Sequence, residues 1–395
     1  MMTLNEKLQL LQSKILDTDQ KIRIMIIGLG SVGCYLLDYL VSLANPRLHI
    51  IVAGRNTEKM QQNVNIIRTA ATIRHQYKSR IDIAGGCDLE DIDSISVILS
   101  KWEPDFIVNS SRVYSGLKYG SISWHNLRAY GIWTPLSIRY ARNIMMAYEK
   151  SGCKAISINT SYSDAVIPWL KSAGCAYFDF GSGNLNHLIP RMKFYIANDY
   201  GIDNLNGIDI TLAVSHFHDV VISKEGHSEG QDILVDVKYQ GKEIDFDKAA
   251  LFKACMISMP VDQKRNMMNA SSNFDIINSV LIAISQKKKE KVHSPGFNGE
   301  IGGFPIIIDG TTVPARAYID TSVFSLEQMR AANRASIYLD GVKDVERGTL
   351  YYTPELVAKV KNAFNTILTS EVKFDEIEST GLFIIENIIN PSLNK

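Results

Sequence analysis

Apolar and polar positions alternate along the first half of the chain in the manner of repeated strand–helix units. Apolar strand patterns occur at residues 24–27, 49–53, 81–84, 104–110 and 155–160, with amphipathic helix patterns between them. This alternation predicts a parallel sheet that binds ligands at the carboxyl ends of its strands. The polar segment 1–20 predicts a helix packed on this domain or on a partner subunit, with an apolar face formed by Leu8, Leu10, Leu11 and Ile15.

A glycine motif lies between the first strand and the first helix of this pattern. The hexapeptide Gly28-Leu29-Gly30-Ser31-Val32-Gly33 follows the apolar run 24–27. In this context a GxGxxG motif is typical of a dinucleotide-binding Rossmann fold. Gly28 permits the tight turn, Gly30 lets a pyrophosphate approach the backbone, and Gly33 allows close helix–strand packing. The helix N-terminus at Ser31 and Val32 is expected to offer N–H groups to the phosphates.

The second strand ends in Gly54-Arg55-Asn56. NAD-specific sites usually have an acidic residue here that binds the ribose 2′-hydroxyl group. Without that carboxylate a 2′-phosphate is not repelled, and the Arg55 guanidinium can pair with it. We therefore predict that NADP(H) is preferred over NAD(H), with Arg55 and Asn56 binding the cofactor. The alternative is that Arg55 caps a surface loop and that the site accepts both cofactors.

Polar residues also follow the later strands of this half. They are predicted to lie at one edge of the sheet, because the carboxyl ends of parallel strands meet there. Asp88 is expected to face the adenine, and the others are expected to line the cofactor, although each is also a common turn residue. The residues expected to line the cofactor are Asn109, Ser110, Ser111 and Asn159.

The pattern changes near residue 205, where strand-like runs (208–214, 219–223, 233–239, 306–309, 313–319) are interspersed with helix patterns (247–258, 261–285, 325–338). A chain of 395 residues is long for a single core. We therefore predict an α/β protein, with a doubly wound parallel Rossmann sheet and a second α+β catalytic domain. The expected divisions are an N-terminal helix (1–20), a dinucleotide-binding domain (21–204), a catalytic domain (205–345) and a C-terminal helical segment (346–395).

Charge and cysteine content narrow the functional class. The chain has 42 lysine and arginine residues against 42 aspartate and glutamate residues, so it has no general attraction to nucleic acid or anionic lipid. No apolar run is long enough to span a bilayer. Five scattered cysteines without a CxxC pair argue against a disulfide framework and suit a reducing compartment. We expect a cytoplasmic homodimer that acts on a small-molecule substrate, with no nucleic-acid or membrane partner.

Three segments together resemble the saccharopine dehydrogenase-like NAD(P)-binding domains. They are the glycine turn, residues 85–91 and residues 104–109, and the resemblance covers about residues 21–200. It implies reduction of a C=N bond between an amino acid and a keto acid. A more distant similarity is to lactate and malate dehydrogenases, in which a strand ends in Asn before a loop, as in residues 158–164. In that family a later strand delivers a catalytic histidine, and residues 208–214 here run into Ser-His-Phe-His-Asp at 215–219.

Two histidines of that segment, His216 and His218, are the candidate proton donors. Reduction of C=O or C=N needs an acid matched to neutral pH, and histidine suits this role. On an extended segment both rings would point to one face, with Asp219 available to orient one of them. We favour His216, because it lies nearer the end of the strand. The alternatives are two structural histidines, or a metal site with His187 or His227, and we expect no metal because no third ligand is evident.

Two further residues are predicted to orient the substrate. Asn159 lies at a strand end, and Arg191 lies in the helix that follows the glycine-rich segment 181–184. Arg191 is a candidate for binding a carboxylate, with a surface or ion-paired role as the alternative. The glycine-rich segment 293–305 is expected either to close over the site or to begin an ordinary hairpin.

The sequence therefore predicts an NADP(H)-dependent oxidoreductase that transfers hydride to the C=N bond of a small polar substrate. One alternative is reduction of the C=O bond of a keto acid or ketone. A second alternative, from a different class, is a nucleotide-binding redox sensor without turnover.

Overall fold

The computed structural model describes residues 2–114, 116–183 and 185–393. Its strands are β1 (Ile22–Ile27), β2 (Leu48–Ala53), β3 (Arg80–Ala84), β4 (Phe106–Asn109), β5 (Ile156–Asn159), β6 (Phe180–Gly181), β7 (Ile208–Ala213), β8 (Leu234–Tyr239), β9 (Lys242–Glu243), β10 (Lys289–Pro295), β11 (Gly303–Asp309), β12 (Arg316–Ile319), β13 (Val342–Glu346), β14 (Thr349–Tyr352) and β15 (Glu371–Lys373).

The helices connect these strands and cover both faces of the first sheet. They are α1 (Leu4–Leu16), α2 (Ser31–Ser42), α3 (Thr57–Ile73), α4 (Ile92–Trp102), α5 (Gly116–Ile122), α6 (Thr134–Lys150), α7 (Ser163–Ser172), α8 (Leu185–Tyr200), α9 (His216–Glu225), α10 (Lys248–Ala254), α11 (Asn266–Gln286), α12 (Leu326–Leu339), α13 (Pro354–Phe364), α14 (Ile377–Ile384) and α15 (Asn390–Leu393). Across the described ranges, no helix has both the length and the apolar character needed to cross a bilayer.

The central sheet has the order β3-β2-β1-β4-β5-β6, and each neighbouring pair of strands is parallel. This order confirms the predicted doubly wound Rossmann architecture. Its register aligns the strand ends, because Ile27 pairs with both Ala53 and Asn109, and Asn109 pairs with Asn159. The loops that follow β1, β2, β4 and β5 therefore leave the sheet at the same edge.

Both faces of this sheet are buried, which explains why its strands are almost continuously apolar. On β1, Met25 and Ile27 face a core that includes residues of α4, α6 and α7. Ile24 and Ile26 point to the opposite face and pack against residues of α1, α2, α3 and α11. The alternation follows from the two-residue period of side chains along a strand.

The second half of the chain forms three small antiparallel sheets, β7-β8-β9, β10-β11-β12 and β13-β14-β15. They confirm the predicted α+β character of this half. Residues 219–223, predicted as a strand, lie instead in α9, and the C-terminal segment contains strands β14 and β15 as well as helices. The glycine-rich segment 293–305 turns tightly between β10 and β11, where the Gly296 N–H donates to the Gly302 carbonyl at 2.7 Å.

Helix α1 packs beneath the sheet, at the amino ends of β4 to β6. Leu8, Leu11 and Ile15 are buried, as predicted, whereas Leu10 is 47% exposed and does not belong to the apolar face. The fully buried Lys7 ammonium donates to both carboxylate oxygens of Asp179, at 2.9 and 2.8 Å. The second Asp179 oxygen also accepts from the backbone and hydroxyl groups of residue 157. The ion pair therefore attaches α1 to the residue that directly precedes strand β6.

Replacing Lys7 with alanine is expected to lower the free energy of unfolding by about 3–5 kcal/mol, because a buried Asp179 carboxylate is left without its counter-ion. Urea denaturation followed by circular dichroism measures this change. Gln9→Ala on the exposed side of the same helix is the matched control and should change stability by less than about 0.5 kcal/mol. Equal effects of the two substitutions would contradict a structural role for the ion pair.

Candidate active site

The glycine turn has the geometry that its spacing predicts. Gly28 has φ +90°, and a Cβ atom there would lie 3.2 Å from the Ser111 Cα atom. A Cβ atom on Gly33 would lie 2.3 Å from the Gly28 carbonyl oxygen, so only glycine permits this approach of α2 to the turn. A Cβ atom on Gly30 would meet no atom within 4 Å. The backbone at Gly30, which is the N-cap of α2, therefore faces open space suited to a phosphate group.

A cleft of about 990 Å³ opens in front of this turn. Its cationic lining residues are Arg55, Lys59, Arg112 and Arg265, against one acidic lining residue, Asp262. This balance suits an anionic ligand. Most residues predicted to bind the cofactor line the cleft: Gly28, Gly30, Ser31, Val32, Arg55, Asn56, Ser110 and Ser111.

Arg55 and Asp88 lie at the far end of this cleft and pair with each other. The Arg55 Nη1 atom is 3.7 Å from the Asp88 Oδ1 atom, and the Arg55 side chain is 66% exposed. Asp88 is absent from the cleft lining, whereas its neighbours Cys87 and Leu89 belong to it, so the predicted contact of Asp88 with adenine stays a prediction. Asn56 is the N-cap of α3, where its side chain accepts from the Lys59 N–H at 2.9 Å. Strand β2 is followed by Gly54, so no carboxylate lies at its end.

Asn109 and Asn159 are buried at the ends of β4 and β5 and bind each other. The Asn109 Nδ2 atom donates to the Asn159 Oδ1 atom at 2.9 Å. The Asn159 amide donates in turn to the Ser161 carbonyl and the Ser163 hydroxyl group. Both side chains lie outside the cleft lining. Their hydrogen bonds join the loops that follow β4 and β5. Their predicted contacts with cofactor or substrate are therefore replaced by contacts within the protein.

A smaller pocket of about 140 Å³ lies beside the cleft. Arg112, Gly116 and Asn269 line both spaces, so the pocket is continuous with the cleft. The remaining walls are formed by Tyr119, Gly120, Tyr130, Trp133, Ser137, Thr160, Ser161, Tyr162 and His216.

His216 is the titratable histidine of this pocket. It is the first residue of α9, and its backbone N–H donates to the Asp164 Oδ1 atom at 3.0 Å. Its Nδ1 atom is 2.9 Å from the Oδ2 atom of Asp340, a fully buried carboxylate. The rings of Tyr130 and Tyr162 pack edge-on against the imidazole, with centroids at 4.7 and 5.2 Å. The imidazole is thus held at one nitrogen and between two aromatic rings.

The pKa of His216 lies above the ordinary histidine value. Burial opposes the charged form, but the charge of Asp340 and its hydrogen bond to the ring outweigh burial, with smaller contributions from Asp164 and Asp219. The environment therefore stabilises the imidazolium, which is the form that can donate a proton.

His218 does not share this position, so the predicted extended segment is wrong. The segment is helical, and two residues along a helix are separated by about 200° around its axis. The ring of His218 contacts the Ser336 hydroxyl group at 2.7 Å and the Ser228 carbonyl at 3.1 Å. Burial lowers its pKa to about 4. Asp219 lies 3.7 Å from His187, and Asp340 takes the orienting role that the sequence suggested for Asp219.

Arg191 also lies away from the pocket. This residue belongs to α8, and its buried guanidinium donates to the Cys255 carbonyl at 2.6 Å. Burial lowers the pKa of Arg191. Its predicted role in binding a substrate carboxylate is therefore replaced by a structural one. The guanidinium at the pocket is that of Arg112, which follows Ser110 and Ser111 directly in sequence and was missed by the sequence analysis.

One group of side chains has the geometry of metal ligands among the residues that the structure describes: Glu225, His227 and Glu229. The guanidinium of Arg128 already pairs with both of these carboxylates. Both carboxylates are thus already paired with a guanidinium, and the group is not part of the pocket lining.

Comparison with known proteins supports the fold. No protein-family model and no curated protein sequence matches the chain. The crystal structure of Cryptosporidium parvum malate dehydrogenase aligns with a TM-score of 0.55 at 10% identity, over 81% of this chain and 98% of that one. The malate dehydrogenase of Picrophilus torridus aligns with a TM-score of 0.53 at 12% identity, over 81% and 96%.

The likeness is one of fold. At this identity it supports the distant similarity to lactate and malate dehydrogenases that the sequence analysis noted. No comparison shows the saccharopine dehydrogenase-like family.

Replacing Asp340 with asparagine is expected to lower the pKa of His216, because burial then acts without the opposing carboxylate charge. Nuclear magnetic resonance titration of the histidine ring protons measures this directly and needs no assay of activity. Asp344→Asn, four residues away in a half-exposed position, is the matched control and should leave the His216 titration unchanged. An unchanged His216 pKa in the Asp340 variant would contradict the pairing.

Proposed function

We propose that the protein is a nicotinamide-dependent dehydrogenase that interconverts a keto group and an alcohol on a small, carboxylate-bearing substrate. The observation that carries this proposal is the pocket itself, in which the His216–Asp340 pair lies next to a dinucleotide-sized cleft. The shared fold with two malate dehydrogenases supports the same class of reaction.

The cleft fits a nicotinamide dinucleotide. Gly28, Gly30 and Gly33 provide the turn, the open backbone and the close helix packing that a bound pyrophosphate requires. The N-terminus of α2 and the guanidinium group of Arg265 would stabilise the pyrophosphate. When bound, a reduced nicotinamide supplies the hydride that reduces the carbonyl carbon and is itself oxidised.

The residues of the pocket would provide the remaining chemistry. Arg112 would bind the substrate carboxylate and fix its orientation, because a guanidinium matches a carboxylate in charge and geometry. His216, protonated, would donate a proton from Nε2 to the carbonyl oxygen as the C=O bond becomes C–O–H. Asp340 would hold the ring and stabilise its positive charge through Nδ1. In the reverse direction the same imidazole, neutral, would accept the hydroxyl proton.

C=O reduction is better supported than the C=N reduction that the sequence favoured. Binding an amino-acid substrate calls for an acidic group to meet its ammonium, and the described lining of the pocket contains no aspartate or glutamate. Asp340 lies behind the lining and already accepts hydrogen bonds from Tyr130, Tyr162 and His216. A redox sensor without turnover does not require a proton donor, such as His216, oriented beside the cofactor.

His216→Gln is expected to lower kcat for keto-acid reduction by about 10²–10⁴-fold, because the proton donor is lost. Binding of NADPH, measured by nicotinamide fluorescence, should persist. The exposed His227→Gln is the control and should retain activity. Full activity of the His216 variant would refute the assigned role.

The pH dependence of the native protein tests the same role. The fraction of protonated His216 falls as the pH rises through its pKa, which lies above the ordinary value. The value of kcat/KM for reduction should therefore be constant at low pH and decline only above about pH 6.5. For alcohol oxidation, kcat/KM should rise over the same range. If kcat/KM for reduction already falls as the pH rises toward 6, the assignment is contradicted.

We infer further that NADP(H) is preferred over NAD(H). Three features support this preference: no carboxylate follows β2, Arg55 is largely exposed at the cleft, and Lys59 lies in the first turn of α3. The contact between Arg55 and Asp88 is long and solvent-exposed, so little free energy is lost when Arg55 turns to a 2′-phosphate.

Arg55→Ala is expected to weaken NADPH binding by at least about tenfold, the usual range for a lost charge-assisted contact, and to change NADH binding little. Isothermal titration calorimetry with both nucleotides measures the difference. Arg68→Ala, at an exposed position on α3 outside the cleft lining, is the control. Equal weakening of both nucleotides would place Arg55 at the pyrophosphate and remove the argument for NADP(H).

A further inference from the structure

The walls of the substrate pocket are unusually rich in aromatic rings. Tyr119, Tyr130, Trp133 and Tyr162 all line it together with the imidazole of His216. The rings of Tyr119 and Trp133 pack with centroids 4.7 Å apart, and Tyr130 and Tyr162 flank the imidazole edge-on. An aromatic ring placed among such walls gains edge-to-face contacts beyond the burial of its surface.

The charge of the pocket is limited to one fixed cation. Arg112 is the cationic side chain among its described lining residues, apart from the titratable His216. One guanidinium matches one carboxylate. A second carboxylate on the substrate would lie against aromatic walls without a counter-ion, and its desolvation would disfavour binding.

One glycine of α5, Gly120, faces open space at the pocket, whereas a Cβ atom on Gly116 would lie 2.2 Å from the Arg112 Nη1 atom. Gly116 and Gly120 are four residues apart, so they lie on the same face of α5, and both line the pocket. A Cβ atom on Gly120 would meet no atom within 4 Å, which shows that the space in front of it is open. Ser137, a small residue on α6, contributes to the lining from another element.

We propose that the pocket selects a 2-keto acid, or the matching 2-hydroxy acid, that carries one carboxylate and an aromatic side chain. This inference rests on the proposed function, because it names the substrate class of the same pocket. The carboxylate pairs with Arg112, the keto oxygen meets His216, and the aromatic side chain occupies the space left by Gly120 and Ser137. The described lining of the pocket offers no second cation to a dicarboxylic keto acid, so we expect such substrates to be disfavoured.

Keto acids of matched chemistry test the selection. NADPH and NADH oxidation are followed with phenylpyruvate, 4-methyl-2-oxopentanoate, pyruvate and oxaloacetate as probes. We expect kcat/KM for phenylpyruvate to exceed the values for pyruvate and oxaloacetate by at least about tenfold, the discrimination that one well-filled apolar subsite provides. The aliphatic 4-methyl-2-oxopentanoate should fall between phenylpyruvate and pyruvate.

Two substitutions from different elements test where the side chain lies. Gly120→Val and Ser137→Val each fill the proposed space, and each should lower kcat/KM for phenylpyruvate by at least about tenfold with less than about a threefold effect on pyruvate. Ser271→Val, at an exposed position on α11, is the control for the same chemical change outside the pocket. Because the readout is a ratio between two substrates, a general loss of folded protein does not imitate it.

The outcomes separate the substrate class from the proposed function. Preference for phenylpyruvate that both pocket variants abolish supports the inference. Preference for oxaloacetate or pyruvate overturns the substrate class and leaves the dehydrogenase proposal intact. A phenylpyruvate preference that neither variant alters overturns the proposed position of the aromatic ring and also leaves the dehydrogenase proposal intact. If no keto acid is reduced although NADPH binds, both the inference and the proposed function are overturned.

Discussion

The buried carboxylate of Asp340 joins the segments that form the substrate pocket. Its two oxygens accept from the Tyr130 backbone N–H at 2.7 Å, the Tyr162 hydroxyl group at 2.7 Å and the His216 ring at 2.9 Å. A carboxylate without exposed surface is stable only when donors of this kind compensate its charge. The three segments are therefore coupled, since displacing any one of them leaves the carboxylate underpaired. Tyr162 shows the strength of this constraint, because it has a left-handed backbone (φ 43°) that non-glycine residues rarely adopt.

The cofactor edge of the sheet is organised by a similar, uncharged network. The paired amides of Asn109 and Asn159 join the ends of β4 and β5, and the Ser110 hydroxyl group donates to the Gly28 carbonyl at 2.6 Å. These contacts lie beneath the cleft, so they set the distance between the glycine turn and the pocket. A cofactor and a substrate bound to this edge would meet surfaces that are already in place, which lowers the entropy lost on binding.

Most residues that the sequence predicted for the cofactor line the cleft, whereas of the predicted catalytic residues only His216 lines the pocket. The glycine turn, the strand–helix alternation and most cleft residues depend on local spacing, which is visible along the chain. His216 was also identified, but its helical setting was not, because two histidines separated by one residue fit a strand pattern equally well. Asp340 lies 124 residues from His216 and has no local motif, so only the tertiary fold brings them together. Arg191 was misleading, since a buried guanidinium that binds backbone carbonyls has the same sequence appearance as one that binds a substrate.

The position of α1 constrains the order in which the chain can assemble. Lys7 pairs with Asp179, which lies 172 residues further along the chain. The Asn5 side chain accepts a hydrogen bond from the Ala317 N–H of β12, 312 residues away. The Gln12 side chain accepts one from the Ala315 N–H, 303 residues away. The contacts of α1 with residues 315 and 317 can therefore form only after that part of the chain has been synthesised, whereas its ion pair with Asp179 can form earlier. Contacts of such long range form late in folding, so the complete attachment of α1 follows the formation of the central sheet.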